Sequence, residues 1–458
     1  MTPARWLRAA FAPRPLTRTR PHARRLAVEQ LEVRENPSTG GVLDPTFGSG
    51  GIVHLPSTTD DGARAVVVQP DGKVIITGTA RQQKGSESIT VQRLNANGSL
   101  DTTFNRTGSL TIGSNDYSTS LALQPDGKIL VGGSTMDSKG NHELLVARLN
   151  PNGTLDTTFG SKGLWLNVGN GIAVEGLAVL TDASHTAATG IIAATEAGTT
   201  TSIYFGAVKL TPAGQPDKTF GTGGFSALPN LPGHTEAVAV APSGEVYLAG
   251  SVSLAATPEQ GGIAALTPAG QLDTTFNGGA GYVLADPTGT RFSDFYDLAV
   301  QTRTVNGLPV SRLVAAGTTA SPTNGYSDGF VAAFTLAGAP DTTFGAGGMF
   351  IYTNPPGADS EFEGLAVAAD GSIVLGGYQS FTDGSIPEEM LIGRLTADGA
   401  ADTSFGTDGT GFIALQDGYE SVILGVAVDP TNGDIAAGGG NNPTKGVARQ
   451  AAVARFTA

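Results

Sequence analysis

The chain has no cysteine among its 458 residues, which excludes disulfide bonds, thiolate zinc sites and cysteine nucleophiles. It has no run that approaches the ~18 apolar residues of a membrane-spanning helix. It also lacks a convincing 3.6-residue apolar period, so we expect almost no helix. Basic residues are scarce, with 27 Lys and Arg against 41 Asp and Glu, and the formal charge of −14 argues against nucleic acid as a partner.

The N-terminal part is the exception to this acidic composition. Residues 1–28 hold seven arginines and no acidic residue. We expect a disordered basic arm over residues 1–40 and one further domain over residues 41–458. The run Arg25–Arg34, followed by Pro37 and Ser38, resembles the N-terminal segment of many large bacterial surface and secreted repeat proteins. That resemblance implies export to an extracellular or cell-surface setting, while a plain disordered leader with a short helix is the alternative.

A short motif recurs seven times, at spacings of 55 to 68 residues. Each copy has an Asp, a Phe three residues later, and then Gly or Asn. We expect a tight corner, in which the Asp caps its own turn, the ring anchors the corner in the core, and Gly or Asn takes a left-handed backbone. The alternative is a calcium site, but calcium needs 6–8 oxygen ligands and each corner offers one carboxylate. The aspartates are Asp44, Asp101, Asp156, Asp217, Asp273, Asp341 and Asp402.

The residues between corners predict four short strands per unit. In the first unit these are Gly51–Leu55, Ala65–Gln69, Val74–Gly78 and Ile89–Leu94, with a turn signal at Pro70–Lys73 between the second and third. Four strands in a unit of this length are typical of a β-propeller blade. We therefore predict an all-β fold, a seven-bladed β-propeller with four antiparallel strands per blade.

The two ends of the repeat region suggest how the ring closes. Residues Ala452–Thr457 repeat the strand Leu145–Asn150, which directly precedes a corner. The chain thus stops where the first corner, at Leu43, would continue. We expect the N-terminal strand Gly51–Leu55 to complete the C-terminal blade and close the propeller, leaving no free sheet edge.

Two segments together resemble a known repeat. Residues 124–133 read Gln-Pro-Asp-Gly-Lys-Ile-Leu-Val-Gly-Gly, and residues 145–160 end in Leu-Asp-Thr-Thr-Phe-Gly. This pattern is similar to the bacterial delta-sixty repeat, and the similarity spans about residues 43–458. The resemblance implies a β-propeller of unassigned function in a surface or secreted setting. It implies no catalytic residue.

A basic residue recurs in the strand before most corners. We expect each one to pair with a nearby Asp, because the planar donors of arginine satisfy several acceptors at once. A basic stripe that binds an anionic glycan is the alternative. The residues are Arg93, Arg148, Lys209, Arg394 and Arg455, and Ala265 and Ala333 replace the base in two units.

Acidic residues lead into the second strand of most units. If that strand is innermost, their side chains converge on one mouth of the central channel, where the longer and more variable loops also open. We expect a recognition surface there, and the alternative is an ordinary solvated acidic rim. The candidate ligand-binding residues are Asp61, Asp116, Glu175, His234, Glu236, Asp297, Glu361, Glu363 and Glu420.

No residue is nominated as catalytic. The five histidines are scattered without metal-ligand spacing, and His234 with Glu236 is the one acid–base pair at the mouth worth testing. We expect an exported, monomeric binding or structural module with a protein or glycan partner and no cofactor, leaving calcium open as a bound ion. The alternative is a hydrolase, lyase or lactonase that uses the acidic mouth with a divalent cation.

Overall fold

The computed structural model describes residues 40–55, 62–81, 86–113, 116–169, 171–199, 202–254, 258–287, 289, 292–321, 326–381 and 387–458. The basic arm predicted over residues 1–40 therefore lies outside the described residues, except for Gly40. The candidate residue Asp61 lies outside them as well. Residues Thr39–Ala458 form one compact unit. Within the described ranges, no helix is long and apolar enough to cross a membrane.

The described residues are almost entirely β-structure, as the missing helical period predicts. The only helical turns among them are two short 3-10 segments, Phe104–Arg106 and Phe276–Gly279. Five sheets have four strands each, all paired with antiparallel neighbours.

Their strands are as follows, each sheet in spatial order from the strand nearest the channel outward. The first sheet has β2 (Ala63–Val68), β3 (Val74–Arg81), β4 (Glu87–Leu94) and β5 (Ser109–Ile112), and the second has β6 (Tyr117–Leu123), β7 (Ile129–Met136), β8 (His142–Leu149) and β9 (Leu164–Val168). The third has β17 (Ser293–Val305), β18 (Leu308–Ala320), β19 (Ser327–Thr335) and β20 (Met349–Ile351), and the fourth has β21 (Ala358–Val367), β22 (Ile373–Phe381), β23 (Glu389–Leu395) and β24 (Phe412–Leu415). The fifth has β25 (Glu420–Val428), β26 (Ile435–Asn442), β27 (Gln450–Phe456) and β1 (Ile52–Leu55). The sixth sheet has seven strands: β10 (Val174–Thr181), β11 (Ala188–Thr199), β12 (Ser202–Leu210), β13 (Phe225–Val240), β14 (Val246–Val252), β15 (Gln260–Leu266) and β16 (Tyr282–Ala285).

The fold is an all-β propeller, but the prediction of a closed seven-bladed ring of separate four-stranded blades is wrong. The protein has five four-stranded blades and one seven-stranded, half-barrel sheet. The difference lies in β13, which pairs with β12 through its first half and with β14 through its second half. One continuous strand stands where the repeat predicts an outer strand, a loop and an inner strand.

The sequence of β13 explains this continuity. Its middle reads Leu228-Pro229-Asn230-Leu231-Pro232-Gly233, and each proline fixes its own φ and favours an extended residue before it. Leu228 and Leu231 are buried in the neighbouring hydrophobic core, and this packing fixes the segment against the sheet. The chain therefore stays extended from one half of the sheet to the other.

The predicted pairing of the N-terminal strand with the last sheet is present. Strand β1 runs antiparallel to β27, with Ile52 opposite Ala454 and Leu55 opposite Ala451. Before it, Leu43 forms a bridge to Phe456, and the first corner follows from that bridge. Residues far apart in the sequence thus share one sheet.

The seven corners have the capping arrangement that the motif predicts. At Asp156, one carboxylate oxygen accepts hydrogen bonds from the backbone N–H of Thr158 at 3.1 Å and from its hydroxyl at 2.6 Å. The following Phe159 is fully buried, and Gly160 has φ of +53°. The same acceptor geometry recurs at all seven aspartates, which confirms the structural interpretation of the motif.

The recurring basic residues pair with the corner aspartates, as predicted. Arg148 places Nε 2.9 Å from Asp156, donates to the carbonyl of Pro212 in the next unit, and stacks over Phe159 at 4.6 Å. Arg93 and Arg455 likewise donate to a backbone carbonyl of the next unit, so these three arginines connect neighbouring corners. The other pairs are Arg93–Asp101, Lys209–Asp217, Arg394–Asp402 and Arg455–Asp44.

The two units without a base in that register replace it differently. Where Ala333 stands, Arg312 from the adjacent strand reaches Asp341 at 3.0 Å and stacks over Phe344 at 4.7 Å. Where Ala265 stands, Tyr247 packs against Phe276, with ring centroids 5.8 Å apart, and its hydroxyl donates to a backbone carbonyl of the next unit.

Candidate functional site

Seven strands approach a central cavity, and each carries a β-bulge at the same position. The strands are β2, β6, β10, β13, β17, β21 and β25, and in each one the pairing with the next strand skips a single residue. A bulge leaves the extra residue out of the ladder and redirects its side chain. The skipped residues are Arg64, Thr119, Glu175, Glu236, Tyr296, Glu363 and Leu424.

All seven bulge residues line one cavity of about 240 Å³. Three of them are glutamates and one is an arginine, so the cavity wall carries more acidic than basic groups. The structure thus brings together Glu175, Glu236 and Glu363, three of the residues that the sequence placed at the channel mouth. We call this set of seven residues the bulge ring.

The carboxylates of the bulge ring are half-buried among like charges. Burial raises the pKa of Glu175 to about 8, with Glu236 and Glu196 adding repulsion and Arg64 opposing it. Burial also raises the pKa of Glu363 to about 7, again with Glu236 contributing. A single guanidinium cannot offset three carboxylates that have lost much of their water.

A second tier of polar side chains lies two residues before the bulge on three of these strands. His234 Nδ1 is 2.6 Å from Glu196 Oε1. Glu361 accepts hydrogen bonds from the hydroxyls of Tyr378 and Tyr296, while burial raises its pKa. Asp294 has a buried Oδ1 with no hydrogen-bond partner, and burial followed by repulsion from Glu236 raises its pKa to about 8.

Three of the predicted site residues have structural partners instead. Asp297 lines the cavity but accepts the backbone N–H groups of Leu298 and Leu365, each at 2.7 Å, and so ties β17 to β21. Asp116 is buried between strands and accepts a hydrogen bond from the hydroxyl of Thr135. Glu420 accepts from the side-chain amide of Asn442 at 3.1 Å, away from the cavity wall.

Arg64, Tyr296 and Glu196 also belong to this region but were not predicted from the sequence. The first two could have been found, because every bulge residue stands five positions before the residue that precedes the hairpin turn, as Arg64 does before Gln69. Glu196 has no such signal. It lies on β11, beside the backbone of Ala173, and only the strand register brings it to the mouth of the cavity.

Glu196, His234 and Glu236 form a compact group of potential metal ligands. One ligand atom from each lies within 4.8 Å of the others, and no second group of this kind occurs among the described residues. His234 is exposed, whereas the two glutamates are half-buried. An imidazole nitrogen and two carboxylate oxygens can coordinate a divalent cation.

Comparison with known families supports the propeller assignment. A family described as a domain of unknown function, the DUF5122 beta-propeller, matches residues 69–104, 124–159, 241–276 and 368–405. Each segment runs from a hairpin turn to a corner, and the bulge residue of the same unit lies five positions before it. The match therefore supports a β-propeller repeat family and covers the scaffold rather than the cavity. No curated protein has a significant match to the sequence.

Several solved structures are similar in fold. The β-propeller domain of the Trilobed protease from Pyrococcus furiosus has 12% identity and a TM-score of 0.40, with 86% of this chain and 95% of that chain covered. An ulvan lyase of polysaccharide lyase family PL25 has 9% identity and a TM-score of 0.44, covering 88% and 96%. The WD40 domain of SCAP from fission yeast has 10% identity and a TM-score of 0.35, covering 88% and 97%. At these values the similarities carry no argument about activity.

Proposed function

We propose that this protein is a binding module whose recognition site is the acidic cavity formed by the bulge ring. The ligand is a cation of side-chain size, such as the ammonium group of a lysine in a partner protein. The observation that carries this proposal is the convergence of Glu175, Glu236 and Glu363 on one cavity. Among the described residues that line it, Arg64 is the one basic residue.

The size of the cavity restricts the ligand. Its volume of about 240 Å³ is below the roughly 300–1,000 Å³ of sites that enclose drug-sized molecules. A single alkylammonium chain suits it better than a sugar or a nucleotide. The mouth adds further acceptors, because Glu196 and Asp294 lie close enough to Glu236 to interact with its charge.

The charge balance supports a cationic ligand as well. Buried carboxylates that repel one another are costly, and a bound ammonium group would relieve that repulsion. The ligand would favour the ionised carboxylates and would therefore displace protons from them. Binding should strengthen as pH rises from 6 to 8, since Glu175 and Glu363 have pKa values of about 8 and about 7.

The test is calorimetric titration with the peptide acetyl-Gly-Lys-Gly-amide, compared with the same peptide carrying norleucine in place of lysine. We expect the lysine peptide to bind and the uncharged peptide to fail. The double variant Glu175→Gln/Glu363→Gln should weaken binding by about tenfold or more, which corresponds to the loss of charge-assisted contacts. Glu420→Gln, outside the cavity, is the matched control. Equal binding of both peptides, or undiminished binding to the double variant, would refute the proposal.

A second candidate is catalysis by a hydrolase, lyase or lactonase that uses a divalent cation at the same mouth. It is favoured by Glu175 and Glu363, whose raised pKa values lie near the neutral range that general acid–base catalysis needs. Turnover on a panel of glycans and lactones, abolished by Glu175→Gln, would support it. Absence of turnover on that panel, together with lysine-peptide binding, favours the binding module.

We also propose an exported setting, on the resemblance of Arg25–Arg34 with Pro37 and Ser38 to the leaders of bacterial surface proteins. Cell fractionation of a bacterial host expressing the whole chain or residues 40–458 tests it. Retention of the whole chain in the cytoplasm would contradict it.

A further inference from the structure

The mouth of the cavity holds a second potential site beside the bulge ring. Glu196 comes from β11, and His234 and Glu236 come from β13, where Glu236 is the bulge residue. Ala173 lies beside Glu196, and the backbone N–H of Glu196 donates a hydrogen bond to the backbone carbonyl of Ala173. The continuous strand β13 therefore presents an imidazole and a carboxylate to a second carboxylate from β11.

The distances within this group suit a single ion. His234 Nδ1 and Glu196 Oε1 are 2.6 Å apart, and all three ligand atoms lie within 4.8 Å of one another. Zinc binds nitrogen and oxygen ligands at about 2.0–2.2 Å, so two ligand atoms on one tetrahedral ion are roughly 3.3–3.6 Å apart. A bound ion would therefore replace the present hydrogen bond between His234 and Glu196. Small side-chain rotations would bring the three atoms to equal distances from a common point.

A separate observation at the same place is a buried carboxylate oxygen without a hydrogen-bond partner. Asp294 Oδ1, on the neighbouring inner strand β17, is buried and has no hydrogen-bond partner. Buried polar atoms in native proteins nearly always have partners, so an isolated carboxylate oxygen indicates an absent ion, water or proton. Among the neighbouring carboxylates, Glu236 of the three-residue group repels Asp294 most strongly.

We propose that Glu196, His234 and Glu236 form a binding site for a divalent transition-metal ion such as Zn²⁺ at the mouth of the cavity. The ligand types select the ion. Imidazole suits zinc, copper, iron and nickel, whereas calcium takes 6–8 oxygen ligands and magnesium keeps most of its water. Three protein ligands leave at least one coordination position for a water molecule or for a partner group.

This site rests on the proposed function only through Glu236, which both share. The metal lies on the exposed side of the mouth, where His234 is accessible. The lysine-sized cavity has Glu175 and Glu363 in its wall, whereas Glu196 and His234 are not among its lining residues. Either site can therefore be lost without the other.

The experiment is calorimetric titration of the untagged full chain with ZnCl₂, with CaCl₂ as the contrasting ion. We expect one Zn²⁺ per chain and no comparable binding of Ca²⁺. His234→Ala and Glu196→Gln should each weaken Zn²⁺ binding by about 10–100-fold, because each removes a ligand. Binding of Co²⁺ to the same site should add visible absorption bands, and these should be absent in His234→Ala.

The matched control is His54→Ala. His54 Nε2 also lies 2.7 Å from a carboxylate oxygen, that of Asp417, but belongs to no group of three ligands among the described residues. Its loss should leave Zn²⁺ affinity unchanged. Circular dichroism shows whether each variant folds, and Glu196→Gln tests the site independently if His234→Ala does not.

Two outcomes overturn the metal site: no Zn²⁺ binding at millimolar concentration, or unchanged affinity in a folded His234→Ala or Glu196→Gln variant. The lysine-peptide titration separates this result from the proposed function. Peptide binding that persists without Zn²⁺ binding refutes the metal site alone. Zn²⁺ binding without peptide binding supports the metal site and refutes the ammonium-binding cavity.

Discussion

The corners and the bulge ring both withdraw carboxylates from water, yet they treat them in opposite ways. At the corner of Asp156, burial is outweighed by hydrogen bonds from Thr158 and by the charge of Arg148, so the pKa of Asp156 is lowered. In the bulge ring, burial and neighbouring glutamates raise the pKa of Glu175 to about 8. Each corner provides hydrogen-bond donors for its own carboxylate, whereas the cavity brings several carboxylates, all hydrogen-bond acceptors, close together.

This difference in pKa distinguishes the carboxylates that stabilise the fold from those of the candidate site. The corner carboxylates have all their partners inside the protein, and the DUF5122 segments include most of these corners. Within the described ranges the bulge-ring carboxylates have no comparable set of hydrogen-bond donors, and they lie outside the matched segments. Groups that the fold leaves unsatisfied are candidates for satisfaction by a ligand. The comparison therefore indicates a structural role for the corners and supports the proposal that recognition takes place at the cavity.

The largest expected effect is at a corner. Arg148→Met should lower the free energy of unfolding by about 3–5 kcal/mol, because it leaves the buried Asp156 without its counter-charge. Lys209→Met is the matched control, since its pair with Asp217 is more exposed, at 19% and 21% against 8% and 6%. The control should lose only about 1 kcal/mol. Urea denaturation followed by tryptophan fluorescence measures both, and equal losses would contradict the argument.

The next effect is the pH dependence that the cavity imposes on stability. Between its ordinary pKa of 4.5 and its folded value of about 8, Glu175 holds more protons in the folded protein than in the unfolded chain. Raising the pH through this window therefore favours unfolding. We expect the melting temperature to fall by about 3–6 °C from pH 5 to pH 9.

The double variant Glu175→Gln/Glu363→Gln should flatten this decline, because glutamine stays neutral at every pH. Glu420→Gln, outside the cavity, should not. A wild-type protein that becomes more stable towards pH 9, or a double variant with an unchanged slope, would show that the cavity carboxylates are not the cause. The charged groups around the two glutamates that set the slope are Arg64, Glu196, Glu236, Glu361 and Glu388.

Most of the fold could be predicted because it depends on local signals. The turn residues Pro70–Lys73 and the Asp-to-Phe spacing at each corner determine structure within a few residues. The same local signals can therefore be read separately in each repeat. The shared strand β13 could not be predicted in the same way. The proline-rich segment Leu228–Gly233 resembles a loop in composition, but its prolines and the packing of Leu228 and Leu231 against the neighbouring core together keep it extended.

The grouping of three candidate residues could be predicted for the same reason. Glu175, Glu236 and Glu363 share a register that can be counted along the chain. Glu196 reaches the mouth through pairing of β11 with β10 and through the path of β13, which are non-local features. Asp116 and Glu420 have the expected residue type near the expected place, but the strand register turns them towards partners within the fold.

The smallest effect tests whether the corner hydroxyls complete the donor set. Thr158→Val removes the hydroxyl that donates to Asp156 at 2.6 Å, while the backbone N–H at 3.1 Å remains. Asp156 is only 4% exposed, so water cannot replace the lost donor, and we expect the free energy of unfolding to fall by about 1 kcal/mol.

Thr275→Val makes the same change at Asp273, which is less buried and has Ala265 in place of a base. There water can hydrate the carboxylate, so the loss should be about half as large or less. Thermal unfolding of both variants at pH 7 measures the difference. A larger loss at Asp273 would mean that the basic residue, rather than burial, decides how much the hydroxyl contributes.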